Sequence, residues 1–462
     1  MQQNECPVEN TRIQNLNSKP NVEGEYILCW MQQSQRADFN PALEYAVWQA
    51  NNKQLPLIVV FGLSESYPEA NLRHYRFMLE GLQEVNTALN KRGIAFIARI
   101  GHPPEVALEA ASSAAMIICD RGYLRHQRQW RRRLALETDC RVTQVESDVI
   151  VPVETASSKQ EYAARTIRKK LNNSVNAYLN HLPQTEIVSK KSDLDWPKLD
   201  LTDLESLERK LNISSEVVPV SRYCRGGTEK AKQQFQYFLK ELLPYYQAYR
   251  NKPEADTVSR MSRYLHFGQI SPVWLALQIE ESNISKDIRN AYIEQLLVRR
   301  ELAINFVQYN DHYDSFEALP NWARRTLIEH SGDQRPYNYS REALETGETH
   351  DEYWNAAMKE MKITGYMHNY MRMYWGKKIL EWSDSPEEAY SNALYLNNKY
   401  FLDGRDPVSY ASVGWIFGLH DRPWQERPIF GKTRYMNARG LERKSDIKTY
   451  VQQINNLTKD PQ

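Results

Sequence analysis

Three stretches in the second half of the chain hold residue types that can do chemistry. In residues 367–382, MHNYMRMYWGKKILEW, Trp375 and Trp382 stand seven positions apart. On a helix that spacing puts both indoles on one face, about 10–11 Å apart along the axis, where they can relay an electron. The plainer alternative is an aromatic core stripe. Residues 258–269, VSRMSRYLHFGQ, place hydroxyls and arginines before a helical pattern, a set that can bind phosphate or simply cap a helix. Residues 396–407, LNNKYFLDGRDP, put a glycine between acids and an arginine, which predicts a tight polar turn. Trp415 and the HDRPW run ending at Trp424 follow it.

The elements that must position these residues fall into two kinds. From Glu25 on, short apolar runs alternate with amphipathic stretches. Strands are predicted at Tyr26–Trp30, Leu57–Phe61, Ala95–Ile100, Met116–Cys119 and Val142–Val145, and helices near Pro41–Asn51, Tyr75–Arg92, Pro104–Ser113 and Leu124–Glu137. That alternation predicts a doubly wound parallel sheet, an α/β domain over 23–150, with ligands at the carboxyl ends of its strands. No GxGxxG follows the first strand. Residues 1–22 read as a flexible extension, and 151–220 as a polar linker whose middle, Ser189–Asp203, runs over the surface. Residues 221–462 read as an all-α domain. The arginine runs Arg125–Arg133 and Arg165–Lys170 read first as solvated helix faces.

Composition bounds the rest. A chain of 462 residues implies two domains, and 41% apolar with 25% charged residues is ordinary for a globular protein. A formal net charge of +1 confines any nucleic-acid contact to a local patch. Five scattered cysteines without CxxC or zinc spacing predict a reduced cytoplasmic or nuclear protein without a structural metal. There is no secretory pattern and no membrane-length apolar run.

The segments YLHFGQIS, VRREL, MRMYW with KKILEW, LNN with LDGRDP, and GKTRYM occur in the order and spacing of class II cyclobutane pyrimidine dimer photolyases. The chain resembles that branch of the photolyase/cryptochrome family from about Tyr26 to Tyr450. The resemblance implies a C-terminal helical domain holding a folded-over FAD, and light-driven electron transfer from FADH⁻ to a flipped-out dimer in UV-damaged DNA. By position, Tyr246, Arg250, Ser259, Arg260, Met261 and Ser262 match the flavin-binding stretch, and Asn251 beside them is assigned to the substrate. Arg372 and Asp403 match an ion pair beside the flavin ring, with Gly404 next to it, and Asn397 matches the residue facing flavin N5. Met373, Trp415 and Trp424 match the walls of the dimer pocket, and Arg434 a basic residue near the lesion strand. Trp354, Trp375 and Trp382 match a tryptophan chain from the surface to oxidised flavin, and Tyr339 an additional redox-active tyrosine. The family can also bind an antenna, 8-hydroxy-5-deazaflavin or methenyltetrahydrofolate, in the N-terminal domain. A monomer is expected.

The chain departs from the pattern at several points. Gln295 stands where the class has a glutamate that contacts the dimer, so it can donate a hydrogen bond but not a proton. Glu294, beside it, points elsewhere on a helix. Ile304 stands in place of an aspartate, Met261 and Arg263 in place of leucine and proline, and one residue is missing between Trp415 and His420. Arg263 reads either as a phosphate ligand or as a solvated arginine. Gln295 and Ile304 keep a second reading alive, a photoreceptor on the same scaffold. A light-independent flavin oxidoreductase, the third, has no nicotinamide fingerprint.

Overall fold

A computed structural model describes residues 5–189 and 196–457. They form two compact units. The first comprises residues 1–158, 169–235 and 261–282, and the second 159–168, 236–260 and 283–462. The contiguous division expected from the sequence differs from this: residues 221–235 and 261–282 group with the first unit.

The first unit is built on a six-stranded sheet, β1 Ile13–Asn15, β2 Tyr26–Trp30, β3 Leu57–Leu63, β4 Ala95–Ile100, β5 Ala114–Asp120 and β6 Val142–Val145, in the order β1-β6-β5-β2-β3-β4. Strands β2 to β6 pair in parallel and β1 runs antiparallel along β6. Ile27, Cys29, Val59 and Ile118 enter one core, and Leu28, Trp30, Val60 and Ile117 the other. Successive side chains thus serve opposite faces, and both faces are covered, as a parallel sheet requires. Helices α1 Pro41–Lys53 and α2 Leu72–Lys91 contribute to the first core, α3 Pro103–Ala111 and α4 Arg125–Glu137 to the second. At the carboxyl end of β5, Asp120 accepts from the amides of Gln32, Gln33 and Ser34 at 3.0, 2.9 and 2.7 Å. Burial lifts its pKa to about 6 against those hydrogen bonds.

Four expectations fail here for identifiable reasons. The extension is ordered through residues 10–15, because the buried Arg12 guanidinium donates to the carbonyls of Glu146, Val149 and Ile150. The 151–220 linker contains helices at Ala164–Ser174 and Leu204–Lys210, and buries Leu201, Leu204, Leu207 and Leu211 in the first core. In its middle, residues 190–195 lie outside the described residues, and residues 196–203 are mostly exposed, with Leu199 N–H donating to Ala98 of edge strand β4. Within the Arg125–Arg133 run, Arg131 is buried and bonded to Gln144 and the Gly122 carbonyl. Arg263 is buried too, with its Nε unpartnered, so the solvated reading of it falls.

The second unit is helical. The helices that bear on the site are α5 Leu243–Tyr249, α6 Arg300–Tyr309, α7 Glu352–Thr364, α8 Asn369–Trp382, α9 Pro386–Tyr400 and α10 Pro407–Ile416. Helix α8 packs on both α7 and α9, and α10 on α6. Their starts are written in side chains: Asp351, His368, Ser385 and Asp406 each accept an amide of the first turn, and prolines stand at the first positions of α9 and α10. Immediately before α6, Glu294–Arg299 winds as a π-helix.

Candidate active site

The DGRDP turn closes on the end of α9. Arg372 of α8 makes a two-pronged ion pair with Asp403 at 3.0 and 3.2 Å, and its Nε donates to the Met367 carbonyl at 2.9 Å. The guanidinium carbon lies 3.9 Å from the centre of the Phe401 ring. A Cβ on Gly404 would stand 2.7 Å from the Asn397 carbonyl oxygen, so only glycine lets the turn approach α9 this closely. Asn397 is buried, and its amide nitrogen donates to Asn398 Oδ1 at 2.8 Å and Ser409 Oγ at 2.6 Å. The structure thus brings Arg372, Asn397, Asp403 and Gly404 together at this turn.

Tyr246 of α5 is buried against Phe238 and Tyr292, with the Arg250 guanidinium 5.9 Å from its ring. Tyr292 donates to Ser259 at 3.1 Å. Arg260 adopts φ 58°, pairs with Asp256 and lies 4.8 Å from the Tyr366 ring. Asn251 is exposed. Met261 (buried) and Ser262 (exposed, opening the short helix Ser262–His266) belong to the first unit.

The second unit holds buried polar atoms without partners in the protein. Thr257 Oγ1 and Trp375 Nε1 are buried and make no hydrogen bond within the protein, while the His368 ring, which accepts from the Tyr370 amide, also faces the Arg250 backbone. Such atoms are costly unless a bound group satisfies them. Burial holds the His368 pKa down to about 4, so its ring is neutral. One hydroxyl, an indole N–H, a neutral imidazole and the Arg372–Asp403 pair are the donors and acceptors this unit would offer a flavin dinucleotide.

The tryptophans are connected differently from the expected line along α8. Trp354, Trp375 and Trp382 are all but fully buried. The ring contact is between helices: Trp354 of α7 meets Trp382 of α8 edge-on, with centroids 5.7 Å apart. Trp375 joins them through its carbonyl, which accepts from Trp354 Nε1 at 3.0 Å, and its own ring meets Phe401 at 6.3 Å. Phe401 thus touches both Arg372 and the tryptophan set. Outward, Trp382 contacts Tyr339 at 5.4 Å and His350 at 5.2 Å, and His350 stacks on Tyr337 at 3.5 Å.

A second aromatic group forms at the other end of the LDGRDP sequence. The Arg434 guanidinium lies 4.2 Å from the Trp424 ring and 5.3 Å from the Trp415 ring. Asp421 holds it, accepting from Arg434 at 3.1 Å and from Trp424 Nε1 at 3.2 Å. Trp424 begins a hairpin, its amide donating to the Lys432 carbonyl, and Ile429 at its tip takes φ 67°. Behind it, the fully buried Lys377 donates to the Ile416 carbonyl and to Thr433, and burial draws its pKa down to about 7. Met373 is half-buried on α8. Between Trp415 and Asp421, Gly418 (φ 107°) and His420 (φ 58°) turn the chain, and His420 Nδ1 sits 2.9 Å from the Tyr162 carbonyl.

Gln295 is half-buried on the π-helical turn, while Glu294 is taken by Arg168 at 2.7 Å and Arg299 at 3.2 Å. Ile304 is buried in α6. Sequence reasoning did not single out Thr257, His368, Phe401, Asp421, Tyr337 or His350. His368, Phe401 and Asp421 lie inside quoted stretches, and nothing local marks the others.

A family model described as DNA photolyase matches residues 27–186. A deoxyribodipyrimidine photo-lyase of Methanothermobacter thermautotrophicus is 49% identical over 450 residues, covering 96% of this chain and 98% of that protein. The chain belongs to the DNA photolyase family. It is an enzyme of the deoxyribodipyrimidine photo-lyase type. The photo-lyase of Potorous tridactylus is 39% identical, over 94% of this chain and 82% of its own. The photolyase fold is seen again in a class III photolyase from Agrobacterium tumefaciens, with TM-score 0.73 and 18% identity over 94% of this chain and 87% of that one. The expected architecture, a doubly wound sheet with a helical region, is the observed one. Among the described residues no helix is long and apolar enough to cross a membrane, and no group of acids, histidines and cysteines could hold a metal.

Proposed function

We propose that this enzyme uses light to repair cyclobutane pyrimidine dimers in DNA, as a class II photolyase. FAD, when bound and reduced, supplies a photo-excited electron donor. Tyr246, Arg250, Ser259 and Arg260 would hold it, with Arg372 and Asp403 beside its ring. Because the Asn397 amide nitrogen donates to Asn398 and Ser409, its Oδ1 would be the atom free to accept a hydrogen bond from the flavin N5–H. Trp354, Trp375 and Trp382 carry electrons inward when the flavin is oxidised, with Tyr339 beyond them.

The observation that carries the repair reading is the cluster of Trp415, Trp424 and Arg434 gathered by Asp421. Two indole faces and a cation on accessible surface suit an extruded pyrimidine pair and its phosphates. Asn251 and Met373 would complete the substrate contacts, and Gln295 would donate an amide hydrogen bond to the dimer. The test is to illuminate photoreduced protein with a thymine-dimer oligonucleotide and keep a dark control. Recovery of intact thymines in light alone supports the proposal. Photoreduction without repair favours a photoreceptor, the reading that Gln295 and the buried Ile304 support. Gln295→Glu should raise the repair quantum yield, and an unchanged yield would remove Gln295 from the reaction.

For the antenna, the first unit offers a cavity of about 390 Å³ lined by Ser64, Glu65, Ser66, Gly101, His102 and Asn212, near the ends of β3 and β4. Tyr67, His126 and Trp130 form edge contacts at 4.9 to 6.1 Å, and His102 meets Trp130 at 5.7 Å. That polar and aromatic mixture suits 8-hydroxy-5-deazaflavin or methenyltetrahydrofolate, which the absorption spectrum of native holoprotein would separate. A monomer acting in the cytoplasm or nucleus completes the proposal.

A further inference from the structure

The aromatic path from Trp382 ends in a group that nothing so far has used. Tyr339 is tied to Trp382 twice, by ring contact at 5.4 Å and by its amide, which donates to the Trp382 carbonyl at 3.1 Å. Its hydroxyl oxygen accepts from the His350 backbone N–H at 3.1 Å and lies 2.8 Å from His350 Nδ1. With the oxygen already accepting, its one proton points at Nδ1, which places the ring proton of a neutral His350 on Nε2. The imidazole is itself sandwiched, lying flat on Tyr337 at 3.5 Å with an interplanar angle of 14°. Tyr337 is 46% exposed, so the stack opens to solvent.

A phenol gives up an electron readily only if its proton leaves with it. We propose that His350 Nδ1 accepts the Tyr339 proton as Tyr339 reduces the Trp382 radical cation. This rests on the reading of Trp354, Trp375 and Trp382 as an electron path toward oxidised flavin. One electron passes from Tyr339 to Trp382, and one proton from Tyr339 Oη to His350 Nδ1. The products are neutral Trp382, a neutral tyrosyl radical and an imidazolium. A thiol in solution then returns one hydrogen atom equivalent to Tyr339, and His350 releases its proton to water.

The charges around His350 fit that task. Asp351, its neighbour and the cap of α7, faces it together with Lys378 and Glu381 of α8. Partial burial lowers the His350 pKa from 6.5, with Lys378 in the same direction and the two carboxylates opposing. The ring is therefore an open acceptor at neutral pH. Lys378 lies 5.6 Å from the Trp382 ring, but its charge is paired with Glu381 at 2.6 Å, so Trp382 can still bear a positive charge.

Flash spectroscopy of the flavin-loaded protein tests this by following tryptophan and tyrosyl radicals separately. In His350→Phe, which can keep the stack on Tyr337, the tryptophan radical should outlive that of the wild type by roughly a hundredfold, the low end for a positioned proton acceptor. The tyrosyl signal should vanish, and Tyr339→Phe should match it. His350→Gln keeps a hydrogen-bond acceptor but no base, so a wild-type tyrosyl yield in that variant would show a merely structural contact and overturn the proposal. In the wild type the tyrosyl yield should fall as the pH drops through the His350 pKa, a step absent from His350→Phe. Nitrogen NMR of the protein in the dark provides a readout independent of light, with Nε2–H expected and Nδ1–H contradicting the proposal. If no tryptophan radical forms in the wild type, the electron-path reading fails first and takes this one with it. If the tryptophan radical forms and decays alike in all variants, only the role of His350 fails.

Discussion

Trp354, Trp375 and Trp382 are sealed from solvent, whereas Trp424 keeps 37% of its surface exposed and Trp415 is half-buried. Both groups are indoles near positive charge, yet they are held in different ways. The first is fixed between two helices, edge against face, with its nearest cation neutralised by Glu381. The second is gathered under Arg434 by one carboxylate, with Trp415 on α10 and the partly exposed Trp424 at the start of a hairpin. Burial gives constant separation and a dry environment, which electron passage needs. An open cation-bearing surface gives room for a ligand, which recognition needs. Residue type alone does not separate the two uses.

The contrast can be broken by stability first. Trp354→Ala should cost about 3–5 kcal/mol because it empties a filled core, while Trp424→Ala should stay within about 1 kcal/mol. Urea unfolding of both variants decides, and equal losses would dissolve the distinction. Function should divide the other way. Asp421→Ala should weaken binding of dimer-containing DNA by roughly tenfold, the scale of one charge-assisted contact, and leave photoreduction without DNA unchanged. Trp382→Phe should abolish that photoreduction and leave DNA affinity at the wild-type level. A variant failing both assays would mean the two clusters act as one.

The smallest effect is on pH dependence. Burial raises the Glu360 pKa from 4.5 to about 7, against its hydrogen bond from Tyr450 and the charge of Arg260. The folded state then binds the extra proton, so this carboxyl's contribution to stability is lost as the pH climbs from 4.5 to 7. His368 and His420, with pKa values lowered from 6.5 to about 4, act oppositely, their contribution being lost as the pH falls from 6.5 to 4. The opposing slopes flatten the wild-type profile. Glu360→Gln should remove one of them and leave stability rising with pH across that range, as denaturant midpoints at several pH values would show.

Local pattern was a good guide where local pattern does the folding. Strands β2, β4 and β6 begin and end where alternating apolar runs place them, because both faces of a parallel sheet must be buried. It misled at Arg12 and Arg131, whose charge suggests solvent but whose guanidinium groups satisfy buried carbonyls. The seven-residue spacing of Trp375 and Trp382 was real, but the ring contact came from Trp354 on another helix, a pairing no single-helix period contains. The LDGRDP and HDRPW segments were legible as motifs, yet the contacts of Phe401 with Arg372 and Trp375 and of Asp421 with Arg434 lie outside those motifs. His350 shows the same limit: eleven residues from Tyr339, it has no motif around it, only geometry.

The π-helical turn at Glu294–Arg299 has a genetic corollary. Arg300 N–H reaches back to the Gln295 carbonyl, five residues behind, so this stretch carries one more residue than regular winding would use. Deleting a single codon between Gln295 and Arg300 would turn that bond into an ordinary four-residue α-helical one and keep Gln295 in its present phase relative to α6. A one-residue deletion there should therefore be tolerated by the fold and leave residue 295 facing as it does now, whereas the same deletion in the regular winding of α6 would shift the phase by about 100°.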